Sequence, residues 1–265
     1  MTDDLISRGK RVLNEKGILD FLVISARYTN ITLQQKYRRS SIRRQLPRTE
    51  KFLTCNDVRV EQRRLFDGLF SHISNDPDYE RQYTEYIREY VETGDSVVVI
   101  GGYYGVSTVA AANRVGKSGS VKTFEASEDG TARVRRTATL NGVEDRITVE
   151  TAIIGPVYNL KGQTPGSKRL SPAALPDCDV LAIDCDGCEL AVLAKLESEP
   201  RIIIVEHHGE SPTADGLEFE YQRDTLERRL TTKGYTIIDE HSQPLTVGEF
   251  EDRIGWFVAK QDDTE

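Results

Sequence analysis

Val97, Val98, Val99 and Ile100 run without a polar break into Gly101-Gly102-Tyr103-Tyr104-Gly105. Small and apolar residues then recur at helical spacing from 106 to 115, and a second short strand-like run, Val121 to Phe124, ends on Glu125. A strand that is apolar on both faces belongs inside a parallel sheet, and glycines at its end let backbone approach a ligand. A carboxylate at the tip of the next strand can accept two hydrogen bonds from a ribose diol. This order predicts a strand–loop–helix–strand unit with a pocket for a nucleoside-containing cofactor.

A chain of 265 residues can form one large α/β domain with an N-terminal appendage, or two small domains. Its charged fraction of 29% and apolar fraction of 38% suit a globular protein. Charge is uneven: residues 1–51 hold 12 Lys/Arg against 5 Asp/Glu in a chain whose net charge is -8. A basic arm on an acidic body suits contact with an anionic partner or the inner face of a membrane, or simply a solvated helical arm. No stretch reaches the roughly 18 apolar residues that span a bilayer. Residues 17–26 contain Asp20 and lack a cleavage pattern, so no signal peptide is expected. Four scattered cysteines favour a reducing, cytoplasmic setting.

Residues 1–75 read as a basic helical N-terminal extension. The helical pattern covers 3–46, with a dense positive run over 36–44, Pro47 as a stop, and a second helical piece over 57–73. Asp76 and Pro77 should open a third helix that carries Tyr79, Tyr83, Tyr86, Ile87 and Tyr90 to Gly94. That tyrosine stripe is read as packing against a sheet. From Gly94 onward strands and helices alternate, the mark of a parallel sheet covered on both faces, so 76–265 reads as one α/β domain. Strands are expected at 96–101, 120–125, 146–150, 179–184 and 201–206, with helices at 106–115, 128–140, 187–197 and 220–233. Segment 155–178 should be a long loop or lid. The runs 235–239 and 254–259 have no helix between them and should pair antiparallel.

Parallel strands closed by an antiparallel pair resemble the class I methyltransferases that use S-adenosylmethionine (SAM). Within that class, residues 94–105, Phe124-Glu125-Ala126-Ser127, the stretch from Leu140 to Ala152, and Asp179 to Leu190 resemble four successive elements of the FkbM family. The resemblance implies a Rossmann-like sheet and a SAM site formed by Gly101, Gly102, Tyr103, Gly105, Glu125 and Ala126. It places Asn141 and Ala152 on the adenine side. It also implies methyl transfer to a hydroxyl of a sugar, glycan or other polyhydroxylated small molecule, with no nucleic acid as partner. Val99 departs from the family, which carries an acid there to receive the amino-acid end of SAM.

Asp184 ends a buried strand at the edge where open α/β sheets bind ligands, so a role in catalysis is expected rather than core filling. Glu206-His207-His208 follows the next strand. Histidine is the common general base near neutral pH, and the family's Glu-x-His spacing selects His208, leaving His207 for the core. Asp184-x-Asp186 also has the form of a divalent-cation motif, the basis of a second reading as a metal-dependent glycosyltransferase. No metal is expected, however. Cys185-x-x-Cys188 lacks a second pair and reads as filler. The residues admit two further readings. One is an inactive methyltransferase-like binding protein, prompted by Val99. The other is an NAD-dependent oxidoreductase, which the Gly-Gly-x-x-Gly spacing disfavours.

Overall fold

Asn56 and Asp57 have φ of 46° and 63°. Two successive left-handed residues make the two-residue turn whose twist matches a β-hairpin, and Asn and Asp tolerate that conformation better than most side chains. They join β1 (Arg48–Cys55) to β2 (Val58–Arg64) in a two-stranded sheet. Leu53, Cys55, Val58 and Val60 are buried, the period-two pattern of a strand. The helix expected over 57–73 is therefore corrected to a strand as far as Arg64. A short helix, α1 (Ser41–Gln45), precedes the hairpin, capped where the Ser40 hydroxyl accepts from the Arg43 amide at 3.1 Å. The computed structural model describes residues 33, 36–37, 40–66, 75–155, 168–185, 188–208, 217–247 and 250–262. Most of the expected basic arm, His72 and Asp186 lie outside these.

The chain groups into two units, one of residues 1–53 and 62–75, the other of 54–61 and 76–265. In the second, the Asp76 carboxylate accepts the Asp78 amide at 3.0 Å and holds a turn, so the helix begins later than expected, as α2 (Arg81–Tyr90). Glu80 precedes it with φ 48°. Tyr83, Tyr86 and Ile87 are buried, so the stripe is packing, as its spacing suggests. The Tyr86 hydroxyl also donates to Asp239 at 3.1 Å.

Eight strands form the main sheet in the order β6-β5-β4-β3-β7-β8-β10-β9. They are β3 (Ser96–Ile100), β4 (Ser120–Glu125), β5 (Ile147–Ile154), β6 (Lys168–Leu170), β7 (Val180–Ile183), β8 (Ile202–His208), β9 (Tyr235–Val247) and β10 (Phe250–Gln261). The strands from β6 through β8 in this order pair in parallel, while β10 pairs antiparallel with both β8 and β9. The connecting helices are α3 (Val106–Val115), α4 (Glu128–Asn141), α5 (Glu189–Lys195) and α6 (Leu217–Thr232). Chain order reverses at β3, which lies between β4 and β7, and such a switch point opens a crevice at the carboxyl edge.

Alternation assigns each strand residue to a face. Val98, Ile100, Phe124, Ile183, Ile203 and Val205 form one core with Val192 and Leu193 of α5 and Leu226 and Leu230 of α6. Val99, Thr123, Ala182 and Ile204 share the opposite face, toward α2 and α3. Thr123 meets Thr108 of α3 there, hydroxyl to hydroxyl, at 3.0 Å. Two residues further along their strands, at the carboxyl edge, the same face carries Glu125, Asp184 and Glu206.

Candidate cofactor and acceptor site

The glycine loop is shaped first by the fold. Gly101 has φ 91°, and a side chain there would overlap the backbone carbonyl of Asp184. Gly102 sits against Val134 and Thr123, and Gly105, with φ 82°, against Thr137 and Val134. These contacts alone require small residues. Tyr103 takes φ 32°, rare outside glycine, and remains half exposed. Arg133 lays its guanidinium over the rings of Tyr103 and Tyr104, 5.1 and 5.0 Å from their centres. Gly105 caps α3 without any side-chain hydrogen bond, so the positive end of a ten-residue helix opens toward the loop.

Glu125 is where the sequence puts it, but its carboxylate is engaged by the protein. One oxygen accepts from the amides of Gly102 at 3.2 Å and Tyr103 at 3.0 Å. The other accepts from the Ser127 amide at 3.0 Å and hydroxyl at 2.9 Å. Ser127 in turn caps α4, accepting from the Gly130 amide at 3.0 Å. A carboxylate has about four acceptor positions, so Glu125 here is the brace of the loop. Gly130, which the sequence did not single out, is required because a side chain would overlap that carboxylate. Ala126 lies between the two, partly buried.

Two expected adenine-side residues stand elsewhere. Asn141 ends α4, about 20 Å along the helix from Ser127 at 1.5 Å per residue. Its amide nitrogen donates to the carbonyls of Arg59 and Thr137, both at 2.8 Å, so it fastens the hairpin tip at the amino edge. Ala152 is core on the α5 face. Its neighbour Thr151, paired with Glu125 in register, shares the Glu125 face and meets Thr131 at 2.9 Å. One residue of alternation separates the expected position from the wall of the crevice.

On the other side of β3, the Asp184 amide donates to the Ile100 carbonyl at 2.9 Å, setting its partly buried side chain beside the loop. Glu206 is 5% exposed and accepts from the Trp256 indole of β10. His207 points the other way, 1% exposed and stacked on Phe219 at 4.6 Å, as alternation predicts. His208 ends β8 opposite Ile254, and its side chain lies outside the described residues. Cys185 and Cys188 form a disulfide rather than acting as separate fillers. Buried Glu189 accepts from the Cys185 amide at 3.3 Å, closing the same turn.

Sequence reasoning missed the contribution of α2. The Tyr79 hydroxyl donates to Glu80, and Asp184 lies within electrostatic reach of both Tyr79 and Tyr83. Burial, and then the neighbouring Glu206 carboxylate, hold the Glu80 carboxyl well above the ordinary carboxylate range. Val99 is fully buried, a side chain whose burial contributes about 1.5–3 kcal/mol. Acidity near the loop therefore comes from Glu80, Asp184 and Glu206 rather than from position 99.

No protein-family model matches the chain, and no curated protein is significantly similar to it in sequence. Solved structures are similar to it. Trm5b from Pyrococcus abyssi superposes with a TM-score of 0.52 at 10% identity over 80% of this chain, which spans 56% of that protein. A SAM-dependent O-methyltransferase from Thermotoga maritima gives 0.45 at 15% identity, covering 71% of this chain and 67% of that one. An O-methyltransferase from Bacillus cereus in complex with SAH gives 0.44 at 16% identity, covering 68% and 81%. The architecture is a Rossmann-like, mainly parallel sheet closed by a C-terminal antiparallel hairpin, a fold similar to that of Trm5b.

Proposed function

We propose that the protein is a SAM-dependent methyltransferase acting on a hydroxyl of a sugar, glycan or other polyhydroxylated small molecule. The observation that carries this reading is the joint placement of the uncapped α3 terminus, Glu125, Asp184 and Glu206 on one face, at one edge, around the switch point. The residues fit the cofactor. The first turn of α3 offers amides and a positive field to its carboxylate. Glu125 and Thr151 line the side where a ribose would lie, and Asp184 and Glu206 offer negative charge on the other. SAM supplies an electrophilic methyl group. The chain's own task is to align the acceptor oxygen and remove its proton. Asp184 orients the hydroxyl, and the proton passes to Asp184 or to His208 at the end of β8. The FkbM resemblance supports the polyhydroxylated acceptor, and the basic stretch of residues 36–44 is the part that would approach an anionic membrane surface carrying it.

A second reading, a methyltransferase-like binding protein without turnover, is favoured by the engagement of both Glu125 oxygens within the protein and by Val99. Calorimetry with S-adenosylhomocysteine, NAD and UDP in parallel, followed by transfer of labelled methyl from SAM to a panel of glycans, tests both. Binding of the first with labelled product is expected. Binding without product supports the second reading, and binding of NAD or UDP instead overturns both.

A further inference from the structure

The disulfide between Cys185 and Cys188 stands at the carboxyl edge of β7. Cys185 directly follows Asp184, whose amide donates to the Ile100 carbonyl and whose own carbonyl occupies the space a side chain on Gly101 would need. Cys188 caps α5 without a side-chain hydrogen bond. The bridge therefore ties the tip of β7, and Asp184 with it, to the helix that follows. Cys188 is buried whereas Cys185 is partly exposed, so an attacking group meets the bond at Cys185. Glu189, the first residue of α5, is 2% exposed. The oxygen that accepts from the Cys185 amide at 3.3 Å also lies 3.6 Å from the Cys185 sulfur. A disulfide sulfur has no hydrogen to give. A thiol at the same place donates to that carboxylate, so a reduced Cys185 has its partner already in position. The fold thus satisfies both oxidation states of this pair. The other two cysteines are different: burial pushes the Cys55 thiol up to about 11 and the Cys178 thiol up to about 12, so almost none of either is thiolate at neutral pH.

We propose that Cys185 and Cys188 form a reversible modification site, exchanged by a low-molecular-weight thiol, whose oxidation state sets the position of Asp184 and with it the affinity of the cofactor site. The consequence for affinity rests on the methyltransferase reading, whereas the exchange rests on the bridge and on Glu189. An external thiolate attacks the Cys185 sulfur and the bond to Cys188 breaks, its electron pair passing to the Cys188 sulfur, which takes a proton from water. A second external thiolate attacks the small-molecule sulfur of the mixed disulfide. The Cys185 sulfur leaves, takes a proton and donates it to Glu189, and a small-molecule disulfide is released. Two electrons pass from the two external thiols to the protein pair, and the same steps in reverse restore the bridge. In the oxidised state the bridge holds Asp184 against Gly101. With the bridge open the tip of β7 is held less rigidly, and the glycine loop loses support on that side.

The experiment uses the full chain and the variants Cys185→Ser and Cys178→Ala, each first checked for folding by its melting temperature. Each protein is equilibrated in a series of buffers in which the ratio of reduced to oxidised glutathione is varied, and the state of the pair is read by mass after alkylation. Amide hydrogen exchange over residues 100–105 and calorimetric affinity for S-adenosylhomocysteine are measured in the two end states. The native pair should pass reversibly from disulfide to dithiol within the series. On reduction, exchange over residues 100–105 should quicken and S-adenosylhomocysteine should bind more weakly, each by at least about tenfold. Cys178→Ala should respond as the native protein does, and Cys185→Ser, which cannot form the bridge, should not respond to the ratio. The proposal is overturned if the pair keeps one state across the series, if exchange over residues 100–105 is the same in both states, or if Cys185→Ser responds like the native protein. It is overturned equally if a protein that binds S-adenosylhomocysteine does so with the same affinity in both states. Should the native protein bind that compound in neither state, the methyltransferase reading falls by itself, and hydrogen exchange then decides the thiol–disulfide site.

Discussion

Gly101 and Asp184 meet backbone to backbone, so closely that no side chain fits between them. The contact fixes the tip of β3 against the tip of β7, and the Asp184 amide secures it by donating to Ile100 at 2.9 Å. Gly101→Ala adds a methyl group both where φ is 91° and where the neighbouring carbonyl stands. Strain of about 1 kcal/mol from the left-handed backbone and about 1–3 kcal/mol from overpacking are expected. At about 2–4 °C per kcal/mol for a domain of this size, the melting temperature should fall by several degrees. Cofactor affinity should fall with it, because Asp184 moves. An unchanged melting curve would mean that the two strand tips are not locked together.

Glu125 allows its two candidate roles to be separated. As a brace it holds two loop amides and a helix cap, and hydrogen bonds to a charged group contribute about 1.5–3 kcal/mol each. Glu125→Ala should therefore lower stability strongly. Glu125→Gln keeps one acceptor oxygen and should cost less. If the carboxylate also reaches a ribose, both variants should bind S-adenosylhomocysteine and 5′-methylthioadenosine more weakly by a similar factor, since both compounds carry the ribose. Unchanged affinity in a folded Glu125→Gln protein would confine the residue to bracing.

The hairpin is open to a simple test. Asp57 is exposed at the second left-handed position of the turn, where glycine is preferred. Asp57→Gly removes left-handed strain and creates an Asn-Gly pair, so it should be neutral to stabilising by up to about 1 kcal/mol, read as a higher melting temperature. In a helix the same change would lower stability instead, by about 0.3 kcal/mol, the gap in helix propensity between aspartate and glycine. A fall of that size would argue for the helix that the sequence pattern suggests over 57–73.

Much of this fold is legible in the residues, and the misses have physical causes. The unbroken runs of β3, β7 and β8 and the small residues of α3 leave few other folds open, and the helix boundaries at 106 and 115 are those observed. The β1–β2 hairpin is hidden because charged residues interleave its strands and its turn is Asn-Asp rather than Asn-Gly. Glu206 is within reach of the sequence: Ile202 and Ile204 put it on the Asp184 face by alternation alone. The same count replaces Ala152 by Thr151. Glu80 is not legible, because it comes beside Glu206, 126 positions later in the chain, once the chain has folded.

Glu80 also gives the site a signature in pH. It is faced by Tyr79 and Tyr83 of its own segment, by Glu206 from β8 and, around Tyr83, by Asp184 and Glu189. Burial first and Glu206 second raise its carboxyl above the value it has in the unfolded chain. The sign follows from linkage: the folded state holds the proton more tightly, so the stability this group contributes is complete below its unfolded pKa and is lost as pH rises through its folded one. Glu80→Gln carries no such proton. Between about pH 5 and about pH 9 the variant should therefore gain on the native protein, by about 2–4 °C for each kcal/mol of relieved repulsion. Parallel melting curves for the two proteins across that range would leave Glu80 an ordinary carboxylate.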